Sequence, residues 1–375
     1  MDLQEIRIKL DGIDTQIEKL FEERMRFCAD VAEYKIETGK AVYDAKREQE
    51  KIETLTGMAE GDFNKQAVGE LFLQMMTLSR RYQYQTMAGR TGLMELGFEK
   101  VKKLDTAGKR IVFQGLEGAY GHAAALRYFG KEADIHHVRR FEDLMIEVKE
   151  GRADYSVLPI ENSSAGAVTD NYDLLLKYNN YIVAETFVPV NHFLLGTQDA
   201  SIEDIRRVYA HPQALMQSSE FLNGRENWQQ LSMENNAVAA KKIRDENDRT
   251  QAAVASEIAG EIYGLKPLAT SINNSKENTT RFLILSAEPV YREDAGKISI
   301  CFELPHKIGT LYNILGNFIF NHVNMRMIES RPVPGRNWEY RFFVDIEGNL
   351  ENPGVISALY GISQEAKNMR ILGNY

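Results

Sequence analysis

At 375 residues the chain has room for roughly two or three domains with cores of their own, and 43% hydrophobic with 26% charged residues describes an ordinary globular protein. A formal net charge of −9 argues against a general nucleic-acid or anionic-membrane surface. The two cysteines, Cys28 and Cys301, stand far apart in the chain, which suggests neither a disulfide framework nor a zinc site and fits a reducing cytoplasm. The opening "MDLQEIRIKL" is acidic from its second residue and lacks the basic-then-apolar order of a secretory signal. No apolar run approaches the ~20 residues of a membrane helix, so the expectation is a cytoplasmic protein.

From Leu3 the apolar positions step through Ile6, Leu10, Ile13, Ile17 and Leu20, then Phe27, Val31 and Tyr34. That rhythm predicts one long helix with an apolar seam, ending near Gly39. A second helix is expected over 44–56 and a third over 65–86, where Leu71, Met75, Leu78 and Tyr82 recur at helical spacing. Three helices enclose little interior alone, so residues 1–86 are expected to form a helical dimer. Residues 87–108 lose periodicity and gain Gly and Lys, as a linker does. From 109 to 288 short β-rich runs ("KRIVFQG", "DYSVLPI", "YIVAETFVPV", "RRVYAHP", "RFLILSA") alternate with helical stretches, the pattern of an α/β domain. Residues 297–375 read strand, helix, two strands, helix, strand, a ferredoxin-like βαββαβ plan.

Four positions on from Leu20 the seam meets Arg24, and a buried guanidinium is costly unless a carboxylate or an external anion pairs it. Lys35, eleven residues on, returns to nearly the same face, whereas Arg7, seventeen residues before Arg24, is about a quarter turn off that stripe and faces a neighbouring chain or a different pocket. In "YDAKREQE" a helix would put Asp44, Arg47 and Glu48 on one face, which is either a solvated ion-paired surface or part of a site. Asp44 or Glu48 could neutralise Arg24. Yet Arg7, Arg24, Lys35 and Arg47 outnumber the two acids, and the surplus asks for an anionic ligand.

These residues resemble the all-helical chorismate mutase domain: Arg7 in "IRIKLDGID", Arg24 in "EER", Lys35 in "EYK", Asp44, Arg47 and Glu48 in "DAKRE", and Ser79 and Gln83 in "LSRRYQ". The resemblance implies an intertwined dimer in which Arg7 reaches into the partner's site. Chorismate rearranges to prephenate by a one-molecule pericyclic shift that needs no nucleophile, metal or cofactor. Arg24, Arg47 and Arg7 would clamp its two carboxylates. Lys35 and Gln83 would donate to the ether oxygen as its charge grows, while Glu48 and Asp44 would hold the ring hydroxyl.

The central domain carries "PIENSSAGAV", "HPQALMQ" and "NTTRF", which place Glu161, Asn162 and Ser163 at the C-terminal end of one strand and Thr280 and Arg281 at the mouth of another. Alone, each is more often loop or cap chemistry. Together, with "IVAETF", they resemble prephenate dehydratase over nearly all of 109–288, which implies two α/β lobes with a cleft between them. On that resemblance Thr280 serves the leaving hydroxyl and Arg281 a substrate carboxylate, with Asn162, Ser163 and Gln217 as further hydrogen-bonding groups beside Phe282. Several positions depart from the family pattern: Leu116, Ala119 and Gly121 in "GLEGAYGH", Ala210 before "HPQ", and Asn235 and Asn236 in "NNAVAA". The hydroxyl layer is thinner, and retained but slower turnover is expected.

"KIGTLYNILGNF" and "IESRPVPGR" resemble the amino-acid-binding ACT domain. The resemblance implies L-phenylalanine as effector, bound between ACT units by Gly309, Thr310 and Leu311 with Glu329, Ser330, Arg331 and Pro332, and hence end-product inhibition. The leading expectation is a bifunctional mutase and dehydratase of phenylalanine biosynthesis, homodimeric or homotetrameric. The alternative keeps an active mutase but makes the altered α/β domain a non-catalytic binding module for aromatic acids. A nucleic-acid-binding helical protein is opposed by Arg24 within the seam and by the negative charge.

Overall fold

The computed structural model describes residues 2–91 and 97–375. Helix α1, Leu3–Thr38, is the single long helix that the seam predicts. Asp2 caps it, accepting from the amides of Gln4 and Glu5 while Glu5 reaches back, and Gly39 ends it in the left-handed conformation at φ 67°. Helix α2, Ala45–Met58, starts at Asp44, whose carboxylate accepts from the Arg47 amide at 3.0 Å. Helix α3 runs Asp62–Thr91, longer at both ends than expected. Residues 92–96 of the expected linker lie outside the described residues, and Glu99–Val101, within that linker, is a strand, β1.

The central chain then folds as two lobes. The first comprises β2 (Arg110–Gln114), α4 (Tyr120–Phe129), β3 (Asp134–Val138), α5 (Phe141–Lys149), β4 (Tyr155–Asn162), β5 (Gly166–Ala167), α6 (Thr169–Lys177) and β6 (Tyr181–Pro189). The second comprises β7 (Phe193–Gly196), β8 (Arg207–Ala210), α7 (Pro212–Gln217), α8 (Ser219–Asn223), β9 (Gln229–Ser232), α9 (Asn236–Glu246), β10 (Gln251–Ala255), α10 (Glu257–Tyr263) and β11 (Lys266–Ala269). Strand β12 (Thr279–Ser286) returns to the first lobe, and β13 (Val290–Arg292) pairs with β1.

Strand order is β3-β2-β4-β12-β6 in one lobe and β9-β8-β10-β7-β11 in the other. In each, the first three strands are parallel and an antiparallel strand follows. Apolar strands buried on both faces make each core: Ile111, Phe113, Val157, Phe282 and Ile284 in the first, Val208, Ala252, Ala253 and Val254 in the second.

The last part is β14 (Lys297–Leu304), α11 (Thr310–Phe320), β15 (Met325–Pro332), β16 (Tyr340–Glu347), α12 (Pro353–Glu365) and β17 (Lys367–Asn374), with strand order β15-β16-β14-β17. This is the expected βαββαβ plan. The helices and this module pack as one compact unit, and the two lobes with residues 372–375 as another. Much of the α1 seam is left uncovered in a single chain: Ile6, Leu10, Ile13, Ile17 and Leu20 are 40% to 65% exposed. Among the described residues no helix is long and apolar enough to cross a membrane.

Candidate active sites

The three helices wall a cavity of about 470 Å³ whose lining includes Arg24, Lys35, Asp44, Arg47, Glu48, Ser79 and Gln83. Arg7 is absent, as it must be within one chain, because seventeen residues of helix carry it about 25 Å from Arg24. Arg24 does not pair with Asp44 or Glu48. Its Nη1 meets Ser79 Oγ, the Met75 carbonyl oxygen at 3.3 Å and Cys28 Sγ at 3.9 Å. Lys35 Nζ donates to the Val42 carbonyl at 2.7 Å, and burial pulls its pKa down despite the nearby Asp44 and Glu48.

The acids are occupied elsewhere. Asp44 caps α2, and Glu48 is taken by Arg80, whose Nη1 lies 2.5 Å from Oε2. Among the described residues, therefore, no carboxylate stands within 4 Å of Arg24, Lys35 or Arg47. Gln83 donates to the Ser79 carbonyl at 3.2 Å, and among the described residues its buried Oε1 has no hydrogen-bond partner. Arg80 is a residue that sequence reasoning passed over. Its signal was its place in "LSRRYQ", beside Ser79.

The cleft between the α/β lobes has a volume of about 540 Å³, and Asn162, Gln217, Thr280 and Phe282 line it. A chain of hydrogen bonds crosses this wall. Asn162 Nδ2 donates to Thr280 Oγ1 at 2.9 Å, and Gln217 Nε2 reaches Asn162 Oδ1 at 3.5 Å. Gln217 Oε1 lies 3.0 Å from His192 Nε2, and His192 Nδ1 lies 3.1 Å from the Tyr120 hydroxyl. Burial lowers the His192 pKa. A neutral ring protonated on Nε2 satisfies Gln217, and the single proton of the Tyr120 hydroxyl is shared between His192 Nδ1 and the Asn191 carbonyl oxygen, which it meets at 2.7 Å. Because Thr280 Oγ1 already accepts from Asn162, its own proton is available to a guest.

Two expected residues stand outside this cleft. Side chains alternate along a strand, so β12 turns Thr280 and Phe282 toward the cavity and Arg281 away from it. Arg281 Nε donates to Glu185 at 2.7 Å and its Nη2 to the Tyr375 hydroxyl at 2.8 Å. The expectation that Arg281 meets a substrate carboxylate is corrected by this placement. Ser163 instead ties two segments together, its Oγ donating to the Glu277 carbonyl and accepting the Thr279 amide, both at 2.9 Å. No Lys or Arg lines the cleft among the described residues. Helices α4, α6 and α9 begin at it with Tyr120, Thr169 and Asn236, where free amides favour an anion.

Comparison with known proteins gives a family for each of these two regions. A family model described as Chorismate mutase type II matches residues 6–84, and one described as Prephenate dehydratase matches residues 111–290. The bifunctional chorismate mutase/prephenate dehydratase of Aquifex aeolicus (strain VF5) is 32% identical over 375 residues, covering 100% of this chain and 98% of its own. The chain belongs to the bifunctional chorismate mutase/prephenate dehydratase family. Among solved structures, prephenate dehydratase from Arthrobacter aurescens in complex with L-Phe is 27% identical with a TM-score of 0.67, covering 71% of this chain and 89% of its own. GqqA, described as a novel type of quorum quenching acylase, is 31% identical with a TM-score of 0.66, covering 71% of this chain and 97% of its own.

The departures within the dehydratase domain have local explanations. Asn235 caps α9, accepting the Val238 amide at 2.8 Å, and Asn236 Oδ1 accepts the His211 amide at 2.9 Å. Leu116 packs against the second lobe's apolar cluster, and Ala210 is buried at the end of β8. Ala119 precedes α4 with no side-chain cap, and Gly121 lines the cleft without a side chain.

In the C-terminal module, Gly309 begins α11 at φ 79°, a conformation that favours glycine. With Thr310 and Leu311 it lines a cavity of about 320 Å³ whose lining also includes Trp338, Tyr340 and Phe342, which sequence reading had not singled out. Thr310 Oγ1 donates to the Lys307 carbonyl at 3.0 Å. Glu329, Ser330, Arg331 and Pro332 do not line this cavity; they lie on β15, the outermost strand of the module's sheet order. Within one chain the two expected recognition stretches are therefore separate.

Proposed function

We propose that this chain converts chorismate to prephenate in the helical cavity and prephenate to phenylpyruvate in the α/β cleft, under feedback inhibition by L-phenylalanine at the C-terminal module, which is read as an ACT domain. The observation that carries the reading is the set of cations, Arg24, Lys35 and Arg47, that line one pocket with no carboxylate within 4 Å among the described residues, in a chain of net charge −9.

In the mutase step, Arg24 and Arg47 hold the two carboxylates so that the ring and the enolpyruvyl chain fold over one another. Lys35 donates to the ether oxygen as the carbon–oxygen bond breaks and a carbon–carbon bond forms, and its charge matches the charge growing there. Arg7 completes the clamp from a second copy of the chain. The exposed stripe Ile6, Leu10, Ile13, Ile17 and Leu20 supports that reading, since one face of α1 needs a partner to leave water. A homodimer follows, with homotetramers open to the C-terminal modules.

In the dehydratase step, Thr280 donates to the departing ring hydroxyl while Asn162 fixes the threonine oxygen and Gln217 fixes Asn162. The ring carboxylate leaves as carbon dioxide, its bonding pair enters the ring, and hydroxide departs toward the donated proton as the ring becomes aromatic. Phe282 supplies an apolar wall for that ring. The dianion is balanced by helix N-termini rather than by Arg281. The assembled Asn162, Gln217 and Thr280 favour turnover over a non-catalytic binding module. The Gly309 cavity, with Trp338 and Tyr340, suits the phenyl ring and carboxylate of phenylalanine, and the β15 edge carries Glu329 to Pro332 toward a second module.

The test is an absorbance assay for phenylpyruvate starting from chorismate, with and without phenylalanine. Phenylpyruvate formed from chorismate and suppressed by phenylalanine is the expected result. Prephenate accumulating with no phenylpyruvate would restrict the chain to mutase chemistry.

A further inference from the structure

Arg80 borders the helical cavity beside Ser79 and is the most enclosed cation there, its side chain 4% exposed. It lies between two carboxylates from opposite ends of the chain. Nη1 is 2.5 Å from Glu48 on α2, and Nε is 3.1 Å from Glu365 on α12. Nη2 donates to Thr77 Oγ1 at 3.2 Å, and the guanidinium carbon stands 4.9 Å from the Tyr43 ring centroid. Burial alone would disfavour this charge, but Glu365 and Glu48 outweigh it and leave the guanidinium more basic than usual.

The surrounding contacts show that α3 is fitted to the C-terminal module. The rings of Tyr84 and Tyr360 meet edge to face at 5.8 Å. The Arg81 guanidinium lies over Gly316 of α11, where any side chain would overlap it, and donates to the Asn313 carbonyl at 3.5 Å. A side chain at Gly361 of α12 would crowd Asn317 Oδ1 and Tyr84 in the same way.

Glu48 shares its cavity with three cations that have no carboxylate partner. Left free, it would swing onto one of them, because opposite charges in a partly desolvated site attract far more strongly than in water. That collapse would cancel the charge an anionic substrate needs. We propose that Arg80 is a positioning residue of the mutase site, holding Glu48 away from Arg24, Lys35 and Arg47, and that Glu365 of the C-terminal module anchors Arg80. The module at the far end of the chain thus completes the mutase cavity. This inference rests on the reading of Glu48 as part of that site.

The experiment compares full-length Arg80→Gln, Glu365→Gln, Glu48→Gln and the Arg80→Gln/Glu48→Gln double variant, measuring mutase kcat and KM, dehydratase kcat/KM and Tm. Arg80→Gln lowers mutase kcat/KM about tenfold, chiefly through a higher KM for chorismate, and Glu365→Gln lowers it about threefold. In the Glu48→Gln background Arg80→Gln has less than about a twofold further effect, since the carboxylate it restrains is gone. Dehydratase kcat/KM is unchanged in all of them. If Arg80→Gln fails to fold, Arg80→Lys, which keeps one charged contact, shows the same KM rise in smaller measure.

Wild-type mutase kinetics in folded Arg80→Gln, or an equal loss with and without Glu48, would overturn the positioning role. A silent Glu365→Gln would overturn the anchor. A silent Glu48→Gln would instead remove the reading beneath the proposal, which distinguishes the two failures.

Discussion

The helical cavity and the α/β cleft have similar volumes, about 470 and 540 Å³, but their linings differ in kind. One is walled by cations whose carboxylate neighbours are diverted to a helix cap and to Arg80. The other lacks Lys and Arg among its described lining residues and relies on amides, a hydroxyl, a neutral histidine and helix N-termini. Under the proposed function both hold a dicarboxylate, so the difference reflects the chemistry rather than the guest's charge. A pericyclic shift gains from rigid clamping and from charge at one oxygen. A dehydration with decarboxylation gains from a donor at the leaving hydroxyl, and a nearby strong cation would hold the carboxylate that has to leave.

The largest effects should be separate losses in the two sites. Arg24→Ala removes a clamp with no substitute and should lower mutase kcat/KM by about 10²–10³-fold while leaving dehydratase kcat/KM intact. Thr280→Ala should lower dehydratase kcat by about 10²-fold with mutase kinetics unchanged, and Thr280→Ser should recover most of it. Steady-state assays of each half-reaction check both, and a variant impairing both steps equally in a folded protein would erase the contrast.

A smaller effect sharpens it at Arg281. Removing one partner of a buried ion pair costs about 3 kcal/mol. Arg281→Met should therefore lower Tm by several degrees, while KM for prephenate in the folded protein changes less than about threefold. A large rise in KM with unchanged Tm would return Arg281 to the substrate.

The helical site was legible because its signal is an exception to a pattern: Arg24 interrupts an apolar seam, and Lys35, Arg47, Ser79 and Gln83 follow at spacings that a helix converts directly into proximity. The βαββαβ plan was legible from strands with clear alternation and from Gly309 at a turn. The second lobe was less so. Strand β10, "QAAVA", is buried along its whole length yet rich in alanine, which has helical propensity, so only tertiary pairing makes it a strand. Arg281 was misread because its neighbour Thr280 faces the cleft and adjacent strand residues cannot share a face. His192 and Arg80 were missed because their roles come from partners distant in sequence, Gln217 and Glu365. No local motif announces those contacts.

Ionic strength separates the two linings next. Raising salt from about 0.05 to 0.5 M shortens the screening length to roughly 4 Å, so mutase KM should rise several-fold while dehydratase KM, set by neutral donors and helix ends at short range, changes less. Equal salt sensitivity would show that the cleft also relies on a strong cation.

The subtlest difference lies in pH. Burial disfavours the Lys35 ammonium more than Asp44 and Glu48 favour it, so in the free enzyme it loses its proton below the ordinary lysine value of 10.5. The ether oxygen requires the protonated form. Mutase kcat/KM should therefore decline as pH rises through that lowered value, whereas dehydratase kcat/KM should not share the decline. Bound chorismate brings negative charge beside Lys35 and holds its proton, so the decline in kcat should fall at higher pH than that in kcat/KM. Glu48→Gln removes one of the carboxylates that support the ammonium, and should move the kcat/KM decline to still lower pH. Lys35→Arg should abolish it in whatever activity remains, because a guanidinium keeps its proton throughout. A decline that survives Lys35→Arg unchanged would assign the titration to another group.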